Sequence, residues 1–145
     1  MLKIVNGALD VQELYKEYHL IAQGKNFGAC CIFCGIVREE DGNEGLSFDI
    51  YMPLLQRWFE QWEQKMKQDG VVLCMAHSIG NVFNQESSFM CAIISQQRKK
   101  ALKYYDTFVE DFKHNAPIWK YDIKSGKRIY AKERSYQLPQ SGLLA

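Results

Sequence analysis

Hydrophobic residues recur along this chain with two different periods, and the switches between them constrain the fold more than any other feature. At helical spacing stand Val11, Leu14, Tyr15, Tyr18 and Ile21 with Ala22. A second stripe holds Leu54, Leu55, Trp58, Phe59, Trp62 and Met66, and a third holds Ala101, Leu102, Tyr105, Phe108, Val109 and Phe112. Apolar or alternating runs of strand length separate them, at residues 2–5, 29–37, 46–51, 71–76, 88–94, 118–123 and 128–131. An amphipathic helix must bury its stripe, and here a sheet is the available cover. The pattern is an α+β single domain with about three helices and six to seven mostly antiparallel strands, spanning 1–134. Residues 135–145 carry few signals and read as a tail.

The punctuation agrees. Asp10 with Glu13 three positions on forms a capping box for the first helix, and Gly24 closes it. Pro53 suits the first turn of the second helix, and Gly70 stops it. Residues 39–45 make an acidic turn, and residues 79–86 connect two strands. The third helix runs from about Gln96 to Lys113, and Pro117 prevents its continuation. Ser125-Gly126 turns a terminal hairpin.

With 145 residues, the chain can bury an adequate core without a disulfide or metal staple. Its longest apolar runs are too short to span a bilayer, and its start is too polar for a signal peptide. These features point to the cytoplasm, where five cysteines read as reduced thiols. Cys31-Ile32-Phe33-Cys34 imitates a redox or zinc motif, but it lies in a strand run. Side chains three apart on a strand point to opposite faces, so the pair reads as structural. Cys74 and Cys91 read the same way. His19, His77 and His114 stand in no metal-binding or catalytic context, and no phosphate-binding glycine loop is present.

Charge is distributed unevenly. Residues 1–95 carry 7 Lys+Arg against 12 Asp+Glu, whereas residues 96–145 carry 11 against 5. A basic end suggests an anionic partner, and a solvated lysine face is the plain alternative. Lys113 falls in the last turn of the third helix, and Lys120 lies beyond the Pro117 corner. Such a junction can aim both ammonium groups at one pocket, where mutual repulsion depresses a pKa and makes acid/base work accessible. Arg38, leaving the strand that ends at Val37, can clamp a phosphate or carboxylate or simply pair with Glu39 or Glu40. Gln97 and Arg98 open the third helix, where backbone N–H groups favour an anion. Arg98 and Lys113 are about 22 Å apart along that helix. If both serve one small ligand, a second subunit supplies one of them.

The string Lys113-His114-Asn115-Ala116-Pro117-Ile118-Trp119-Lys120 resembles the signature of the large, catalytic subunit of molybdopterin synthase. Gly35-Ile36-Val37-Arg38, His77-Ser78-Ile79-Gly80 and Ser95-Gln96-Gln97-Arg98 follow the same family's order. The resemblance implies an α/β-hammerhead-type fold and a sulfurtransferase acting in molybdenum cofactor biosynthesis. Its substrate would be cyclic pyranopterin monophosphate (precursor Z), converted to the molybdopterin dithiolene. The sulfur would come from the Gly-Gly thiocarboxylate of a small ubiquitin-like carrier subunit, within a heterotetramer built on a dimer of this chain. No metal and no cofactor is implied. Lys113 and Lys120 match the catalytic pocket lysines, which also bind substrate. Arg38 matches a substrate-binding arginine, and Arg98 one offered across the dimer. Gln97 replaces a common histidine and reads as a binding residue, since an amide does not shuttle protons near neutral pH. Ser78 replaces a common arginine, and Asn84-Gln85-Glu86 a Pro-Gly turn. The competing readings are a scaffold that only docks the carrier, or a small RNA-binding module using Tyr121, Tyr130 and Tyr136 beside lysines.

Overall fold

A computed structural model describes residues 1–136. In chain order the elements are β1 (Leu2–Asn6), α1 (Val11–Gly24), β2 (Ala29–Ile36), β3 (Gly45–Ile50), α2 (Met52–Gln68), β4 (Val72–Phe83), β5 (Ser87–Ser95), α3 (Arg98–Asn115), β6 (Ile118–Lys124) and β7 (Lys127–Tyr130). A short 3₁₀ turn, Lys132–Arg134, follows. The strands form a sheet in the order β2-β5-β4-β3-β6-β7, with β1 added to β4. Every pairing is antiparallel except β1 with β4. Among the described residues no helix is long and apolar enough to cross a membrane.

Local chemistry sets the helix starts. Asp10 accepts the Glu13 N–H at 3.1 Å, and Pro53 sits in the first turn of α2. On one sheet face, α2 and α3 cover Leu73, Met75, Phe89, Cys91 and Ile93; on the other, α1 covers Cys74, Ala76, Met90, Ala92 and Ile94. Alternating residues of β4 and β5 therefore serve two cores. Cys31 lies opposite Ile93, and Cys34 opposite Met90, so the two thiols face opposite sides of β2. Burial pushes the Cys74 thiol up to about 11 and the Cys91 thiol up to about 12, which holds both protonated at neutral pH.

Three expectations need correction. Residues 79–83 are strand rather than connection, because β4 continues to pair with β1 and then β3; the turn is only 84–86. Gly80 marks the handover: its φ is +76°, and a Cβ there would stand 2.8 Å from Asn6 Oδ1. A Cβ at Gly45 would collide with the Val82 backbone, so β3 can begin against β4 only with glycine. Leu102 is 54% exposed, and Tyr104 takes the buried place on α3. Finally, Ser135 and Tyr136 bond to β6. The remainder of the tail, 137–145, lies outside the described residues.

Candidate active site

The corner between α3 and β6 is buried at Ala116, Pro117 and Ile118. The Ala116 N–H closes α3 on Phe112 O, and the Ile118 N–H reaches Ala116 O at 2.8 Å. Lys113, exposed in the last turn of α3, and Lys120 on β6 therefore leave a rigid bend. The Lys120 backbone is held on both sides. Its N–H donates to Ser135 Oγ at 2.7 Å, and its carbonyl accepts from the Ala131 N–H at 2.9 Å and the Ser135 hydroxyl at 3.1 Å.

Lys120 lies opposite Phe48 of β3. The Phe48 ring meets His77 edge-on at 4.9 Å, and His77 packs against Phe89 and Phe112 at 6.0 and 5.7 Å. Phe89 and Phe112 stack at 3.7 Å. These rings form an apolar floor beside Lys120, and Phe112 immediately precedes Lys113. Burial is the main reason the Lys120 ammonium is held below the usual lysine range, and the charges of Arg134 and Lys113 add to it. Asp122 and Glu40 pull the other way. Removing the Lys113 charge is therefore expected to raise the Lys120 pKa, as is removing Arg134. NMR titration of isotope-labelled lysine in the Lys113→Ala chain reads this directly, and an unmoved Lys120 would mean the two amines do not share a site.

Two carboxylates organise the rest. Asp122 accepts both of its contacts from Arg134 at 2.5 Å and one from the Asn43 amide at 2.7 Å. Arg38 is exposed and pairs with Glu40 at 3.4 Å, which places it on the rim of the same cluster. Lys113, Lys120, Arg134 and Arg38 against Asp122 and Glu40 leave this corner positive. Among the described residues no group of three or more His, Cys, Asp or Glu side chains is placed to hold a metal.

Gln97 and Arg98 are elsewhere. They sit at the opposite end of α3, about 22 Å from Lys113 along the helix axis. Gln97 is the N-cap residue but makes no side-chain cap, and the first turn carries Arg98, Lys99 and Lys100 with no acid. Cations at an uncapped helix N-terminus oppose the helix dipole, so this end is short of negative charge.

A sequence profile of the MoaE protein family matches residues 4–115. A molybdopterin synthase catalytic subunit of Helicobacter pylori strain 26695 is 61% identical over 145 residues, covering all of both chains. The chain belongs to the MoaE family. A solved protein–protein complex of subunits 1 and 2 of molybdopterin-converting factor from the same strain contains a chain with a TM-score of 0.93, 61% identity and 99% coverage of both. Molybdopterin synthase from Staphylococcus aureus, at 23% identity and a TM-score of 0.75, shares the fold over 88% of this chain and 94% of that one. The sequence resemblance to this family and the α+β reading are both borne out.

Of the residues around this corner, Arg134 escaped the sequence reading, and His77 was read only as part of a family landmark. Arg134 lies fourteen positions beyond Lys120 in a short 3₁₀ turn, and only the basic count of the C-terminal third hinted at it. His77 belongs to the His77-Ser78-Ile79-Gly80 landmark but stands in no catalytic or metal-binding context; the fold buries it within the aromatic floor, bonded through Nδ1 to Ser78 O at 2.8 Å. Burial depresses its pKa to about 4, and the Lys120 charge adds to this. An unfolded histidine titrates near 6.5, so the unfolded state binds the extra proton first. Native stability is therefore unaffected by His77 above about pH 6.5 and falls as pH drops toward 4, by about 3 kcal/mol in all. Thermal melts from pH 7 to 4 are expected to show this loss, and His77→Gln should flatten it. An equally steep acid loss in that variant would assign it to other groups.

Proposed function

We propose that this chain is the catalytic subunit of a molybdopterin synthase, transferring sulfur from a carrier thiocarboxylate to cyclic pyranopterin monophosphate. The observation that carries the reading is the positive corner: a buried-side lysine crowded by Lys113 and Arg134 over an aromatic floor. An anionic, flat, partly apolar ligand suits such a place, and a phosphorylated pterin is one. Attack by a thiocarboxylate, opening of a cyclic phosphate and loss of water all develop negative charge, which fixed cations stabilise. In this reading Lys113 lies nearest the carrier's terminal carbonyl and does acid/base and charge-stabilising work. Lys120 holds the pterin or its phosphate, and its depressed pKa eases proton exchange. Arg38 binds from the rim, and Asp122 orients Arg134 rather than acting on substrate.

Gln97 and Arg98 join this site from a second copy of the chain, since one helix cannot bring both its ends to one small ligand. The uncapped, acid-free start of α3 is the kind of end that gains from an anion. The partners are then a small ubiquitin-like carrier ending in Gly-Gly and the chain itself, as the dimer core of a heterotetramer. The relative solved as a complex of subunits 1 and 2 supports the carrier assignment. The test is to mix the chain with thiocarboxylated carrier and precursor and to assay the dithiolene product. Docking without product would leave a scaffold.

A further inference from the structure

α2 and α3 lie on the same sheet face, and one carboxylate ties them together. Asp111 Oδ2 accepts the Trp58 indole N–H at 2.9 Å and the Trp62 indole N–H at 2.7 Å. Its Oδ1 accepts the Asn115 amide at 2.7 Å. All three donors are neutral. Trp58 and Trp62 stand one helical turn apart on α2, so both indole edges reach one point. Asp111 and Asn115 stand one turn apart on α3, and Asn115 is the last residue of that helix. Both tryptophans are half-buried, where an indole N–H needs an acceptor. Trp58 packs against Phe108 and Phe112 at 5.5 and 6.2 Å, and Trp62 meets Phe108 edge-on at 5.5 Å.

This clasp sits two residues before Lys113. Side chains two apart on a helix diverge by about 200° around its axis, so Lys113 points away from the clasp. Asp111 therefore does not meet what Lys113 meets, and it is not among the charges acting on Lys120. Its influence runs through the backbone. The last turn of a helix leaves four carbonyl groups without partners inside the helix, and it frays unless something holds it. Here Lys113, His114 and Asn115 are all exposed, so the core does not hold them. Among the described residues, no other hydrogen bond joins α2 to the end of α3. Phe112, stacked on Phe89, and the Pro117 corner complete the frame on either side of Lys113.

We propose that Asp111 is a positioning residue of this site: by taking both α2 indole N–H groups and the Asn115 amide, it fixes the last turn of α3 and so the place of Lys113 beside Lys120. The proposal rests on the preceding reading of Lys113 as a site lysine. A displacement of about 1 Å is enough to cost a preorganised site about 100-fold in rate, which is why a clasp outside the pocket matters.

Two measurements on the full chain test it. The first is NMR titration of labelled lysine, without carrier. In Asp111→Ala the Lys113 charge is no longer held close, so the Lys120 pKa should rise; loss of a carboxylate acting only through its field would lower it. Asp111→Asn keeps an acceptor of the same length for both indoles, and the Asn115 amide can turn over to meet it, so Lys120 should return to its wild-type titration. The second is product formation with thiocarboxylated carrier. Asp111→Ala should lower the rate at saturating precursor about 10-fold, with apparent affinity little changed, because Lys120 and Arg38 still bind. Asp111→Asn should restore most of that rate. Trp58→Phe with Trp62→Phe keeps the rings and removes both N–H donors. That pair should match Asp111→Ala in both measurements, and combining all three changes should add little, since they break one contact. The pair also carries the test if Asp111→Ala does not fold.

A Lys120 titration that stays put or moves down in these variants overturns the proposal. So does Asp111→Asn behaving like Asp111→Ala, or losses that multiply to about 100-fold on combination. If Lys120 moves up as expected while product forms at the wild-type rate, the clasp stands and the catalytic reading of Lys113 falls.

Discussion

Lys113→Ala is expected to lower dithiolene formation at least about 100-fold, the scale of losing one charge-stabilising group from a preorganised site. Lys113 is exposed at the end of α3, and its side chain contributes nothing to either core. The fold, self-association and carrier docking should therefore survive, and a melting curve and a binding assay establish that before activity is read. The loss should appear in the rate at saturating precursor more than in apparent affinity, because the group acts where charge develops. Lys113→Arg keeps the charge but not an exchangeable ammonium. Partial recovery there would mark electrostatics as the larger share. Product formation by Lys113→Ala at the wild-type rate would remove Lys113 from the mechanism.

The second expected result comes from mixing two inactive chains. If Arg98 crosses to the neighbouring copy, a heterodimer of Arg98→Ala and Lys113→Ala holds one site with neither change and one with both. With equal amounts and free exchange, half of the dimers are mixed, and total activity should recover to about a quarter of wild type. Two chains that each keep their own site cannot do this, whatever their concentration. No recovery after exchange has been verified by mass spectrometry would place the whole site within one chain. Arg98 and Lys113 at opposite ends of the same helix make that second arrangement a hard one to build.

Helices and the Pro117 corner were legible in the sequence because their determinants are local. Asp10 caps its own helix three residues on, and Pro53 and Pro117 act on the turn they sit in. Strand extent was less so. Residues 79–83 look like a connection by composition, and they become strand only because β1 and β3 lie alongside. Leu102 fits the apolar stripe by spacing, but spacing does not tell which side of α3 the sheet reaches, and the sheet stops at β2. The candidate site divided in the same way. Lys113, Lys120 and Arg38 were singled out as candidates from motif and context. Arg134 was missed because its link to Asp122 depends on a 3₁₀ turn folding back on β6.

Periodicity, capping and the lysine–proline–lysine string are short-range, so the order of elements and the bend between two ammonium groups were already written in the residues. Long-range pairing alone decided the rest: that His77 lies buried beside Lys120, that Arg134 and Glu40 add their fields to that lysine, and that Arg98 cannot reach it in the same chain. The reason is that burial and electrostatic coupling depend on distances through space, and a chain acquires those only when its sheet has closed.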